Sequence, residues 1–285
     1  MSIPSQSSPP PYDSSNRRNI LIVGDVGAGK SSVINLIAGR QLARTSHDAV
    51  SCTLQSEEYI VSLGGIEFAL HDTVGLHEAV ADMKTKDYLD SVYQACTLIS
   101  KLKRSGGISL VMFCMKGGRI TSSVQQTYNL FAKVFCNRQV PIVVVVTHLE
   151  EYDDMEQWWK KNEKSIEQYG FNSHGHACIT ATRGYQGAYK DKYEQSRRTI
   201  QRLLVNHSRG TAWQEDQGTW IQRLLRYLAS LFGFSSRQPS SSDLRKLLTT
   251  WCGFSEEDAM LLTRRIERSR DAPEEYKPWF DENSD

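Results

Sequence analysis

The stretch "NILIVGDVGAGKSSVINLIAG", residues 19–39, decides how the rest of the chain is read. Its aliphatic run stops at Gly24, a glycine-spaced turn follows, and Val33, Ile34, Ile37 and Ala38 then recur at helical spacing. A short β-branched run predicts a buried strand, the later spacing an amphipathic helix, and Gly39 suits the helix end. The turn itself fits G-x-x-x-x-G-K-[ST] at Gly24, Gly29, Lys30 and Ser31. Glycines let a backbone wrap closely enough for its N–H groups to point at a phosphate, and the helix starting there adds its positive end. Gly24, Asp25, Val26, Gly27, Ala28, Gly29, Lys30, Ser31 and Ser32 are therefore expected to cradle a nucleotide's phosphates. Lys30 is expected to reach the β- and γ-phosphate oxygens and act on the transferred group, with the Ser31 hydroxyl on Mg²⁺. A chance match is the alternative, and strand and helix on the correct sides argue against it.

Working outward, apolar runs and helical patterns alternate. "LQSEEYIVSLGGIEFALHDTVG" reads as two strands around a Gly64-Gly65 turn. A long helix is expected from 77 to about 105, a strand at "ISLVMFCM", a helix at "VQQTYNLFAKVF", and a strand at "VPIVVVVTH". A helix over about 155–169, the strand "HACIT" and a helix over about 187–206 complete the set. Continuous β-branched runs belong inside parallel sheets covered on both faces. The order predicts a three-layer α/β domain whose mostly parallel sheet carries one antiparallel edge strand, with ligand at the strands' carboxyl ends. Residues 19–208 would form that domain. Residues 1–18, rich in Pro and Ser, read as a disordered tail, and 209–285 as a helical extension with a flexible linker near 235–242.

Composition narrows the class. Of 285 residues, 39% are hydrophobic and 24% charged, enough for a packed core, and the net charge is only +1. Basic and acidic side chains balance along the chain, so nucleic acid is not expected as a partner. The six cysteines lack CxxC spacing and read as reduced thiols of a cytoplasmic protein. His174, His176 and Cys178 alternate, but three ligands without a fourth favour a plain strand entry over a metal site. No run reaches membrane-spanning length. The stripe Trp220, Leu224, Tyr227, Leu228, Leu231 and Phe232 is expected to pack on the parent domain; peripheral membrane contact is the less favoured alternative.

Asp72 ends an apolar strand and begins D-x-x-G with Gly75, so its carboxylate is expected to hold Mg²⁺ and the Gly75 N–H to sense the γ-phosphate. Thr45, Ser46, Ser51 and Thr53 could each supply a second metal-binding hydroxyl, and Thr53, just ahead of the next strand, is the choice. The strand "VPIVVVVTHLEE" ends in Thr147-His148-Leu149-Glu150. His148 can cover a purine ring, and the Glu150 carboxylate can accept from the guanine N1 and N2 hydrogens, a donor pair that adenine lacks. One strand later Ala181 and its neighbours offer an N–H to the guanine O6. The bound nucleotide is thus expected to be GTP or GDP with Mg²⁺. Many small GTPases orient the attacking water with a glutamine after the D-x-x-G glycine; here Leu76 stands there, and His77 is the nearby candidate.

Together these motifs resemble the translation-factor-related P-loop GTPases, and within them the septin-like branch. That branch includes the chloroplast-import receptor GTPases and the immune-associated nucleotide-binding proteins; stand-alone fungal G-domain proteins look similar. The shared stretches are "GAGKSS", "DTVGL", the Thr-His pair, and "GGRIT" at 117–121. The resemblance covers about residues 18–208 and implies a P-loop NTPase G domain. Val74 replaces a usual proline, His148 a usual lysine and Glu150 a usual aspartate. In the relatives, GTP-bound domains pair face to face and an arginine acts across the interface, a position that Arg119 matches. The resemblance thus implies a GTP-dependent homodimer, with an effector the sequence does not name. Three functions stay open: a slow GTPase switch, a GTP-binding scaffold that barely hydrolyses, and an ATPase or kinase sharing only the phosphate loop.

Overall fold

Strand β1 (Arg17–Val23) runs through the middle of the sheet because Ile20, Leu21, Ile22 and Val23 are apolar on both faces and wholly buried. The computed structural model describes residues 17–44, 56–73 and 86–214, and beyond them positions 223, 224, 227, 241–246, 249, 256, 257, 259, 260, 263 and 264. Helix α1 (Lys30–Ala38) follows and stops where the Gly39 N–H donates to the Leu36 carbonyl. β2 (Glu57–Leu63) and β3 (Ile66–Asp72) form the expected hairpin. Then come α2 (Lys86–Arg104), β4 (Leu110–Lys116), α3 (Ser122–Asn129), β5 (Ile142–Thr147), α4 (Glu156–Gln168), β6 (Gly175–Cys178) and α5 (Lys190–His207).

The sheet order is β2-β3-β1-β4-β5-β6, and only the β2–β3 pairing is antiparallel. One core cluster joins α1 and α5 to one face of the sheet; the other joins α2, α3 and α4 to the opposite face. This is the three-layer α/β architecture expected from the alternation of apolar runs. All parallel strands present their carboxyl ends to one rim, so Val23, Asp72, Lys116, Thr147 and Cys178 finish on the same side.

Two particulars differ from the expected outline. The chain enters the sheet at Arg17, inside the stretch expected to be a tail: Arg17 pairs with Glu58, and Arg18 Nη1 donates to the Ser208 carbonyl at 2.7 Å. The helix expected over 124–135 is α-helical only to Asn129 and then widens into a π segment, Leu130–Phe135. Five of those six side chains are buried. Beyond the sheet, Leu224 and Tyr227 lie buried in the cluster shared with α2 and α3, and Trp213 bridges to Ile108. Among the described residues, no helix is long and apolar enough to cross a membrane.

Candidate functional site

The phosphate loop is shaped by close contact with β4. A Cβ built on Gly24 would stand 2.2 Å from the Cys114 carbonyl oxygen, so no other residue lets the loop leave the sheet here. Val26 and Gly27 form the exposed tip, Ala28 is buried, and Gly29 precedes the helix. Lys30 is only 8% exposed, and its Nζ donates to the carbonyls of Gly24 (3.0 Å) and Asp25 (3.1 Å). Burial pushes its pKa down, opposed by the nearby Asp72 and Asp25 carboxylates. The ammonium therefore sits inside the loop, bound to the backbone that would surround a phosphate.

Ser31 Oγ donates to Asp72 Oδ2 at 2.8 Å, joining the start of α1 to the end of β3. The second carboxylate oxygen, Asp72 Oδ1, is buried without a hydrogen-bond partner among the described residues. Burial raises the Asp72 pKa, while Lys30 and the Ser31 hydroxyl pull it back down. A buried, unengaged oxygen beside a hydroxyl is costly unless something occupies it. A hard divalent cation with its water shell suits such a donor pair, so Ser31 and Asp72 fit Mg²⁺. Thr53, Gly75 and His77, together with Val74 and Leu76, lie outside the described residues.

The other end of the rim is built by β5 and β6. Thr147 is buried, and its Oγ1 lies 3.0 Å from the Ala28 carbonyl and 2.8 Å from His148 Nδ1. With the hydrogen on Nδ1, the imidazole donates to Thr147 and the hydroxyl proton goes to the phosphate loop, bracing one against the other. His148, just past the end of β5, is exposed and held at φ 60°, a conformation rare outside glycine. Partial burial and nearby Lys116 lower its pKa, and Glu150 raises it. Glu150 Oε2 accepts from Thr180 Oγ1 at 3.2 Å, which links the loops after β5 and β6, and Ala181 follows half-buried. Arg119 is exposed in the turn between β4 and α3. That turn presses on β5: the Gly117 N–H donates to the Thr147 carbonyl at 2.8 Å, and a Cβ there would meet Leu149 at 2.4 Å.

Thus Lys30, Ser31 and Asp72 meet at one point, and Thr147, His148, Glu150 and Ala181 line the same rim further along. Several supporting residues escaped the sequence reading. Lys192 of α5 donates to the carbonyls of Glu150 and Tyr152, both at 2.8 Å, and so holds the loop after β5. Tyr189 OH donates to Glu151 at 2.5 Å across the same gap. The Asp25 carboxylate accepts from Ser123 Oγ (2.8 Å) and Thr127 Oγ1 (2.5 Å) of α3. His71, buried beside Asp72, lies 3.3 Å from Asn19 Oδ1, and Asn19 donates onward to the carbonyls of Ser105 and Gly107. None has a sequence signal, because each partner comes from a distant element. His174 and His176 are engaged differently. His174 Nδ1 accepts from the Ile142 N–H, while His176 stacks on Trp159 and lies 2.9 Å from Glu156.

The chain is 40% identical over 76 residues to the tRNA modification GTPase MnmE of Rhizorhabdus wittichii, covering 27% of this chain and 17% of that protein. It is 33% identical over 91 residues to GTPase Der of Mycobacterium bovis, covering 29% and 19%. The chain therefore spans less than a fifth of the length of these curated relatives. Among solved structures it is similar to Toc33 from Arabidopsis thaliana in complex with GDP and Mg²⁺, at 15% identity and a TM-score of 0.49, over 68% of this chain and 86% of that one. A GTP-binding protein from Sulfolobus solfataricus in complex with GDP matches at 16% identity and a TM-score of 0.38, over 64% and 53%. Residues 19–166, just over half of the chain, match the family model described as 50S ribosome-binding GTPase, and the chain belongs to that family.

Proposed function

We propose that this protein binds GTP and GDP with Mg²⁺ and is a slow GTPase whose turnover rises when GTP pairs two copies. The observation that carries the reading is the pairing of Ser31 with Asp72, whose Oδ1 is left buried and unengaged beside a buried lysine. Ser31 and Asp72 would hold Mg²⁺ there, and the cation would supply positive charge against that developing on the phosphates. Lys30 would exchange the Gly24 and Asp25 carbonyls for β- and γ-phosphate oxygens, and the loop amides would orient the phosphate chain. Thr53 would add the second metal-side hydroxyl and Gly75 the γ-phosphate contact.

At the base end, His148 would cover the ring, Glu150 would accept from the guanine N1 and N2 hydrogens, and the Ala181 amide would meet O6. His77 would orient the attacking water. Arg119, exposed beside the rim, would act on a second copy in the face-to-face arrangement of the septin-like relatives; an arginine supplied in this way raises turnover by about a thousandfold or more. Phosphate release per molecule, measured against protein concentration, tests this: turnover should climb with concentration, and a flat line removes the pairing. Leu76 supports a second reading, a GTP-binding scaffold, since leucine cannot orient water. GTP incubated for hours with no phosphate released would favour it. The site faces a cytoplasmic nucleotide pool in either reading, and the effector is a protein of unassigned kind.

A further inference from the structure

Asp25 is the second residue of the phosphate loop, yet its side chain is committed elsewhere. The carboxylate is buried, with Oδ2 accepting from Ser123 and Oδ1 from Thr127. Those two hydroxyls are four residues apart and so lie on one face of α3. Asp25 uses its backbone just as closely: its carbonyl accepts from Lys30 Nζ at 3.1 Å and from the Ala28 N–H at 3.2 Å. One residue thus touches the phosphate-binding lysine with its main chain and α3 with its side chain. The far end of α3 has its own anchor, where Tyr128 packs on Phe113 and Phe171 and donates to the Asn172 carbonyl. The Asp25 link runs along the helix from Ser123, two residues after the Thr121 cap and four after Arg119, to Thr127 next to Tyr128.

Resting on the nucleotide reading above, we propose that Asp25 is a positioning residue that couples α3 and the Arg119 turn to occupancy of the phosphate loop. A nucleoside triphosphate draws Lys30 off the Gly24 and Asp25 carbonyls, residue 25 readjusts, and its carboxylate carries that change to Ser123 and Thr127. Buried charge-assisted hydrogen bonds suit this role because they are short, directional and costly to leave unmade. The arginine expected to act in a paired complex is thereby set when nucleotide is present. A purely structural tie would hold α3 equally with and without nucleotide.

Hydrogen exchange on the full chain, with and without a non-hydrolysable GTP analogue and Mg²⁺, tests the coupling over residues 24–32 and 119–129. In the wild-type protein both segments should slow on adding nucleotide. In Thr127→Val and in Ser123→Ala the phosphate loop should still slow while the change over 119–129 is lost. Thr127→Ser, which keeps the hydroxyl, should restore it. Slowing of the phosphate loop alone in the wild type overturns the coupling and leaves nucleotide binding intact. An undiminished response of 119–129 in both Thr127→Val and Ser123→Ala also overturns it. If neither segment slows in the wild type, the nucleotide reading falls and the coupling with it.

Discussion

The two ends of the rim, proposed to hold phosphate and base, are built on opposite terms. At the phosphate end the groups are buried: Lys30 is 8% exposed and Asp72 1%, and backbone forms the wall, with Gly24 against Cys114. At the base end His148 is exposed at φ 60°, and Glu150 is held by one hydroxyl and by Lys192 from another helix. The first is a local device in which strand, loop and helix lie adjacent in the chain. The second is assembled from three elements that meet only after the sheet has formed. Grip on a nucleotide should therefore reside at the first end, and choice of base at the second.

The largest expected effect is at the phosphate end. Lys30→Ala should weaken GTP and GDP binding by about a hundredfold or more, as expected for losing about 3 kcal/mol of charged hydrogen bonding. Calorimetry reads this directly, and unchanged affinity would break the comparison. Glu150→Gln should instead weaken GTP by roughly ten- to a hundredfold while leaving ATP affinity unaltered, since the lost contact is to the base alone. Competition binding with both nucleotides measures it, and equal losses for the two would erase the proposed division of labour.

Two histidines sharpen the contrast through pH. Burial pushes the His71 pKa down to about 4, with Glu58 opposing and Arg17 and Lys101 assisting. The unfolded chain binds that proton near pH 6.5 and the folded chain does not, so stability is complete above 6.5 and falls as pH drops toward 4. The loss should be about 2 kcal/mol at pH 5. His71→Gln should flatten that part of a pH-resolved denaturation curve, whereas His148→Gln, at an exposed position, should change it far less. The smallest effect belongs to Lys192→Met, which frees the Glu150 and Tyr152 carbonyls. It should loosen guanine nucleotides by about three- to tenfold, consistent with roughly 1 kcal/mol, with little change in melting temperature. Nucleotide off-rates from stopped-flow fluorescence would detect it.

Much of the fold was legible from the chain alone. The run Ile20–Val23, the glycine spacing and the helical period of α1 are local signals. So are the Gly64-Gly65 turn and the β-branched run of β5. Ser31 and Asp72 could be paired on paper because a motif names both. The bond from Asp25 to Thr127 could not: the two lie 102 residues apart, and an aspartate in a glycine-rich loop reads equally well as facing solvent. The π segment after Asn129 was hidden for a related reason, since helical periodicity does not reveal how wide a turn the core will demand.

What the sequence determined by itself is therefore the phosphate loop and the alternation of strands and helices, because spacing along one chain sets backbone conformation over a few residues. Only the tertiary structure decided that Asp25 turns into α3, that Lys192 supports the Glu150 loop, and that His71 rests against Asn19. Those partners are chosen by strand order and helix packing, which place side chains from distant segments within about 3 Å in buried surroundings where each polar group must find a mate.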